Sequence, residues 1–86
     1  MVLYTRRDCP LCDEMKAELK RSRPAQRYAL REVDIEGDPE LERLHGLSIP
    51  VLAIAGRAAF KGRMTAADFE RKLARRAAER RAERTG

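Results

Sequence analysis

The chain has 86 residues and a formal charge of +5, the length of one domain with a single modest core. Residues 1–70 are balanced, with twelve basic and twelve acidic groups, and the excess sits in Arg71 to Arg84, where seven basic residues meet only Glu79 and Glu83. No run is apolar for long enough to span a membrane, and Met1 leads straight into a strand without the basic start and apolar stretch of a secretory leader, so a cytoplasmic protein is expected.

The predicted elements alternate. The first strand covers Val2 to Thr5, and Arg6-Arg7-Asp8 forms a short loop. A helix then starts at Pro10, where a missing N–H costs nothing, and Leu11, Met15 and Leu19 mark its buried face at helical spacing. Asp13 and Glu14 suit its positive end, and Lys20 and Arg21 suit its negative end. Ser22-Arg23-Pro24 stops it. The second strand is expected over Tyr28 to Ile35. Its apolar residues change parity between Leu30 and Val33, which predicts a bulge or a strand covered on both faces.

Asp38-Pro39 is a cap followed by a first-position proline and opens the second helix. Leu41 and Leu44 are expected to point inward, and Gly46 ends the helix. A third strand, Val51 to Ala55, is apolar throughout, as a central covered strand should be. Gly56 begins a turn, Phe60 anchors a fourth strand, and Gly62 closes it. The third helix begins at Thr65 with Asp68 three residues on in capping-box fashion, and it uses Phe69 and Leu73 as core contacts. After Ala78 it has no large apolar residue and is expected to run into solvent. The order is βαβαββα, an α/β domain. The first two strands should be parallel, and the last two, joined by a tight turn, antiparallel.

Cys9 and Cys12 are the only cysteines, and they stand three positions apart where the first helix opens. A bridge between them closes a loop too small to constrain the unfolded chain much, which favours chemistry over stapling. A thiol reacts as its thiolate. Unpaired N–H groups and the helix dipole favour a negative sulfur at Cys9. Arg6 and Arg7 add to that field, while Asp8, Asp13 and Glu14 oppose it. Cys12, one turn further in, should be less exposed. Cys9 is then expected to attack a substrate disulfide and Cys12 to resolve the mixed disulfide. Ile49-Pro50 precedes the third strand, where a cis proline would bend the chain and expose backbone groups to a substrate strand.

Other readings compete with this one. His45 is the one good metal ligand besides the thiols, so a single-chain zinc site lacks ligands, and no metal residues are assigned. A metal or iron–sulfur cluster shared by two chains would need only two thiols from each, which leaves a carrier or adaptor module as the second reading. His45 is expected to be a helix-end residue, and Tyr4 and Tyr28 to be packing. The basic tail reads as a solvated helix with charge pairs three or four apart. It lacks the interleaved aromatics of a nucleic-acid surface, and docking of an acidic partner is its second reading.

The run Tyr4-Thr5-Arg6-Arg7-Asp8-Cys9-Pro10-Leu11-Cys12, then Val33-Asp34-Ile35, then Leu47-Ser48-Ile49-Pro50-Val51-Leu52 and Gly56, resembles a glutaredoxin-like protein of the thioredoxin fold. The resemblance covers residues 1 to about 75, with 76–86 as a basic extension of the last helix. It implies a four-stranded mixed sheet of order 2-1-3-4, Cys9 as nucleophile, Cys12 as resolving thiol and Pro50 as a cis proline. It also implies substrate or glutathione contacts at Arg6, Arg7, Pro10, Leu11, Ser48, Ile49, Pro50, Lys61 and Arg63. No cofactor is required, and glutathione is a candidate reductant. The partners would be disulfide-containing proteins or glutathione and an upstream thiol reductase, with the protein a monomer that meets neither nucleic acid nor membrane. Typical glutaredoxins carry a tyrosine between the cysteines, threonine and valine before the proline, and a glycine pair with an aspartate after the last strand. Here stand Leu11, Ser48-Ile49 and Lys61-Gly62-Arg63-Met64-Thr65.

Overall fold

Strand β1 (Val2–Thr5) lies inside a four-stranded sheet of order β2-β1-β3-β4. The structure is a computed structural model that describes residues 1–85. After β1 come α1 (Pro10–Arg21), β2 (Arg31–Asp34), α2 (Pro39–His45), β3 (Val51–Ile54), β4 (Arg57–Lys61) and α3 (Ala66–Thr85). β1 and β2 pair in parallel, from Val2 opposite Arg31 to Thr5 opposite Asp34. The β1–β3 and β3–β4 pairs are antiparallel. Order, connectivity and strand directions are those the sequence implied.

Side chains alternate across a strand, and the sheet is covered accordingly. Leu3, Leu52 and Ile54 meet Met15 and Leu19 of α1 and Met64, Phe69 and Leu73 at the start of and along α3 in one buried cluster. Tyr4 stands on the opposite face, where its ring stacks on His45 at the end of α2, 4.2 Å between centroids. β3 is buried at Val51, Leu52 and Ile54, as its unbroken apolar run predicted. The buried face of α1 runs through Cys12, Met15 and Leu19 and ends at Ser22, whose hydroxyl donates to Leu19 O. Leu11, expected on that face, is only half-buried.

Four expectations need correction. β2 is shorter than Tyr28 to Ile35, because the β1 ladder begins at Val2 opposite Arg31, and beyond it residues 28–30 meet only the Met1 N-terminus, which donates to Ala29 O at 2.8 Å. Tyr28 instead turns edge-on to Phe69, 5.4 Å between centroids. The ladder of β2 is regular, so the parity change falls outside the strand and no bulge is needed. The bulge lies elsewhere: Leu52 pairs with Phe60 but Ala53 with Ala58, which leaves Ala59 as the extra residue in β4.

The second helix buries no residue. Leu41 is half-buried, but Leu44 points out, 58% exposed, because α2 is only seven residues long and meets the sheet mainly through His45. The capping box of α3 forms only in part. Thr65 Oγ1 accepts from Asp68 N–H at 3.1 Å, while the Asp68 carboxylate pairs with Arg71. α3 continues unbroken through the basic segment, with residues 78–83 exposed. Gly86, the end of the expected extension, lies outside the described residues.

Candidate functional site

The site is built on the turn between β1 and α1. Asp8 has φ 53°, in the left-handed region that aspartate tolerates better than most residues. This turn brings Cys9 to the N-cap of α1, with extended backbone at φ −116° and ψ 100°. Pro10 follows as the first helical residue. Cys9 O accepts from Asp13 N–H at 3.1 Å. Cys9 Sγ accepts from the backbone N–H of Cys12 at 3.2 Å. A sulfur thus takes the place of the usual Ser or Asp oxygen on an orphan helix donor.

Cys9 and Cys12 are joined as a disulfide with Cα atoms 5.2 Å apart, inside the usual span for such bridges. Cys12 is buried, 1% exposed, whereas Cys9 is half-buried. The two sulfurs therefore meet solvent unequally. Pro10 is exposed and Leu11 half-buried beside them on the same turn.

The β1–β3 register brings the second segment to the same end of the sheet. Tyr4 pairs with Val51, so Pro50 comes opposite Thr5, where the chain leaves for the Cys9 turn. The Ile49–Pro50 bond is cis, as the sequence suggested. Pro50 is buried, Ser48 and Ile49 are half-buried, and Ser48 N–H donates to His45 O at 2.8 Å. Gly62 N–H closes onto Pro50 O at 2.8 Å with φ 77°. The β4–α3 loop is thereby tied to the cis-proline segment.

The basic residues assigned from sequence meet acidic partners or lie exposed. Arg6 faces Glu42 of α2 at 3.9 Å, and Arg63 faces Glu14 of α1 at 3.9 Å. Arg7 is exposed, with its backbone N–H on the Glu36 carboxylate at 2.9 Å. Lys61 is exposed at the end of β4. All these ion pairs reach solvent and are individually weak.

Sequence reasoning missed Lys16 and Glu32. Lys16 Nζ lies 3.0 Å from the Glu32 carboxylate, which also accepts from Thr5 Oγ1 at 3.2 Å. Both line a polar cleft of about 440 Å3 beside the Arg6–Asp8 loop. Helical position alone places Lys16 one turn after Cys12, but only the sheet register sets Glu32 against it. Among the described residues, no group of three or more His, Cys, Asp or Glu side chains is arranged to hold a metal ion. No helix of the described residues is long and apolar enough to cross a membrane.

The family model described as "Glutaredoxin-like domain (DUF836)" matches residues 1–74. The chain belongs to this glutaredoxin-like family. A solved structure, "X-ray structure of Northeast Structural Genomics target protein XcR50 from X. campestris", superposes with a TM-score of 0.72 at 34% identity, covering 84% of this chain and 92% of that one. Among curated proteins none matches. The glutaredoxin-like domain thus has a thioredoxin-like fold, and its bonded cysteine pair at a helix start equips it for thiol redox chemistry.

Proposed function

We propose that this glutaredoxin-like domain is a dithiol–disulfide oxidoreductase that reduces protein disulfides or mixed disulfides with glutathione. The observation that carries the reading is the Cys9 sulfur at the N-cap of α1, accepting the Cys12 N–H and more exposed than Cys12. A hydrogen bond to the charged form of a group favours that form, so the same donor supports a Cys9 thiolate in the reduced protein.

The thiolate of Cys9 attacks one sulfur of the substrate disulfide, and the other sulfur leaves as a thiolate. Cys12 then loses its proton and attacks Cys9. The substrate departs with both sulfurs reduced, and the Cys9–Cys12 bond is restored. Two electrons and two protons have moved from the protein to the substrate. Ile49, turned outward by the cis Pro50, offers backbone to an extended substrate segment, while Leu11 and Pro10 flank the exchanging sulfurs. A dithiol or two glutathione molecules return the electrons. Glutathione would engage Arg6, Lys61 or Arg63, opening the Arg6–Glu42 and Arg63–Glu14 pairs to do so. A reducing compartment such as the cytosol suits a couple that must be re-reduced.

The test is a redox titration in glutathione buffers with thiol trapping and intact mass. The expected result is a reversible two-proton mass change with one midpoint. Cys9→Ser should abolish exchange, and Cys12→Ser should accumulate a mixed disulfide. Full activity in Cys9→Ser would refute the assignment. Thiols that never form the internal bond would instead turn attention to a metal or cluster carrier.

A further inference from the structure

A second concave site lies at the other end of the sheet. β1 runs from Val2 towards Cys9, and β3 is antiparallel to it, with Ala53 opposite Val2. Ile54 therefore stands at the end remote from the cysteines. There the buried side chains of Ile54 and Leu73 help line a cleft of about 550 Å3, together with Arg27, Arg76, Arg80 and Arg81. Among the described residues, no acidic one lines it.

The charge around this cleft is concentrated and incompletely matched. Arg76 directs its guanidinium to three neutral carbonyls, of Ile54, Arg57 and Ala58, at 2.9 to 3.3 Å. Burial, then the neighbouring Arg57, holds its pKa below the usual guanidinium value, and Arg75 adds to the repulsion. Glu79 opposes that effect but reaches Arg57, at 3.3 Å. Among the described residues no carboxylate lies within ion-pair distance of Arg27 or Arg80. Like charges held together over a low-dielectric floor create a field that attracts anions.

We propose that this cleft binds an acidic segment of a partner protein. Carboxylates of the segment meet Arg27 and Arg80, whose planar forks suit them. An apolar side chain between them covers the accessible alanines of the lining, Ala25, Ala55 and Ala77. A free phosphate would leave those alanines uncovered. Among the described residues no aromatic one lines the cleft to stack on a base, so a nucleic acid is the poorer fit. The site is independent of the redox reading, and a partner docked there leaves the Cys9 end open.

The probe is a fluorescein-labelled peptide alternating glutamate and leucine, followed by fluorescence anisotropy with the full chain. Binding should weaken as salt rises. Arg27→Ala with Arg80→Ala should weaken it by about tenfold or more. Arg43→Ala with Arg71→Ala removes equal charge away from the cleft and should leave the affinity unchanged, thermal unfolding confirming that both variants fold. The proposal is overturned if the peptide does not bind or if both pairs of substitutions weaken it equally. It is also overturned if inorganic phosphate displaces the peptide at matched charge concentration, or if a single-stranded oligonucleotide of matched charge binds more tightly.

Discussion

The Glu18 carboxylate, on α1, accepts the backbone N–H of Ala66, the first residue of α3, at 2.9 Å. The opening donors of a helix have no partner within it, and here one is satisfied from a residue 48 positions away. Thr65 supplies a second acceptor at the same helix end. The two helices that cover the main core are therefore joined by a cap as well as by packing. Glu18→Ala should cost about 1 kcal/mol, as the loss of a capping side chain does. In a domain of this size that lowers Tm by about 4–8 °C. Thermal unfolding followed by circular dichroism measures it, and an unchanged Tm would show the bond to be unimportant.

The β3–β4 hairpin turns on Ala55 and Gly56, with φ 52° and 80°, while Ile54 pairs with Arg57 across the turn. Positive φ at both central residues is the mark of a type I′ turn, which favours Asn-Gly. Ala55 holds a conformation that its Cβ disfavours. Ala55→Asn should therefore raise stability by about 0.5–1 kcal/mol. Urea titration with an unchanged m-value would register the gain, and a loss would contradict the turn assignment.

Phe69 and Leu44 are both large and apolar, with opposite consequences. Phe69 is 0% exposed at the centre of the cluster, so Phe69→Ala should cost about 3–5 kcal/mol. That is a large part of the stability of any small domain. Leu44→Ala should lie within about 0.5 kcal/mol of the parent, since it removes surface that is already wet. A pair of urea curves decides it, and comparable losses at both positions would mean that α2 packs more closely than described.

Arg76 fastens α3 to the β3–β4 hairpin through three carbonyls. Arg76→Ala should cost about 1.5–3 kcal/mol, the range for bonds from a charged donor. Arg76→Lys should recover only part of it, because an ammonium lacks the planar fork. Full recovery by lysine would show that charge alone is sufficient there.

Much of this architecture is legible in short stretches of sequence. Cys9-Pro10-Leu11-Cys12 announces a helix start with paired thiols, and Asp38-Pro39 announces another start. The unbroken Val51–Ile54 run announces a covered strand. Each signal depends on residues a few positions apart. What escaped depends on distant parts of the chain meeting. Tyr28 had strand-like neighbours, but β1 offers it no pairing partner. Leu44 had the right helical spacing, but α2 is too short to bring it to the sheet. Asp68 stood at the capping-box position and found Arg71, while Glu18 took part of the cap's role. At the site, sequence located both cysteines and the cis proline. It could not show that Arg6 and Arg63 would meet Glu42 and Glu14, nor that Lys16 would meet Glu32. Those pairs follow from how helices and strands are set against one another.

The lack of buried residues in α2 also has a kinetic meaning. The helix is fastened mainly by the His45–Tyr4 ring stack and the Arg6–Glu42 pair, so it opens at a small fraction of the free energy needed to unfold the sheet. Its amide protons should exchange with deuterated water well before those of Met15 and Leu19 in α1. Because His45 leads through Ser48 into the cis-proline segment, such opening loosens one wall of the site while the helix carrying Cys9 and Cys12 stays closed.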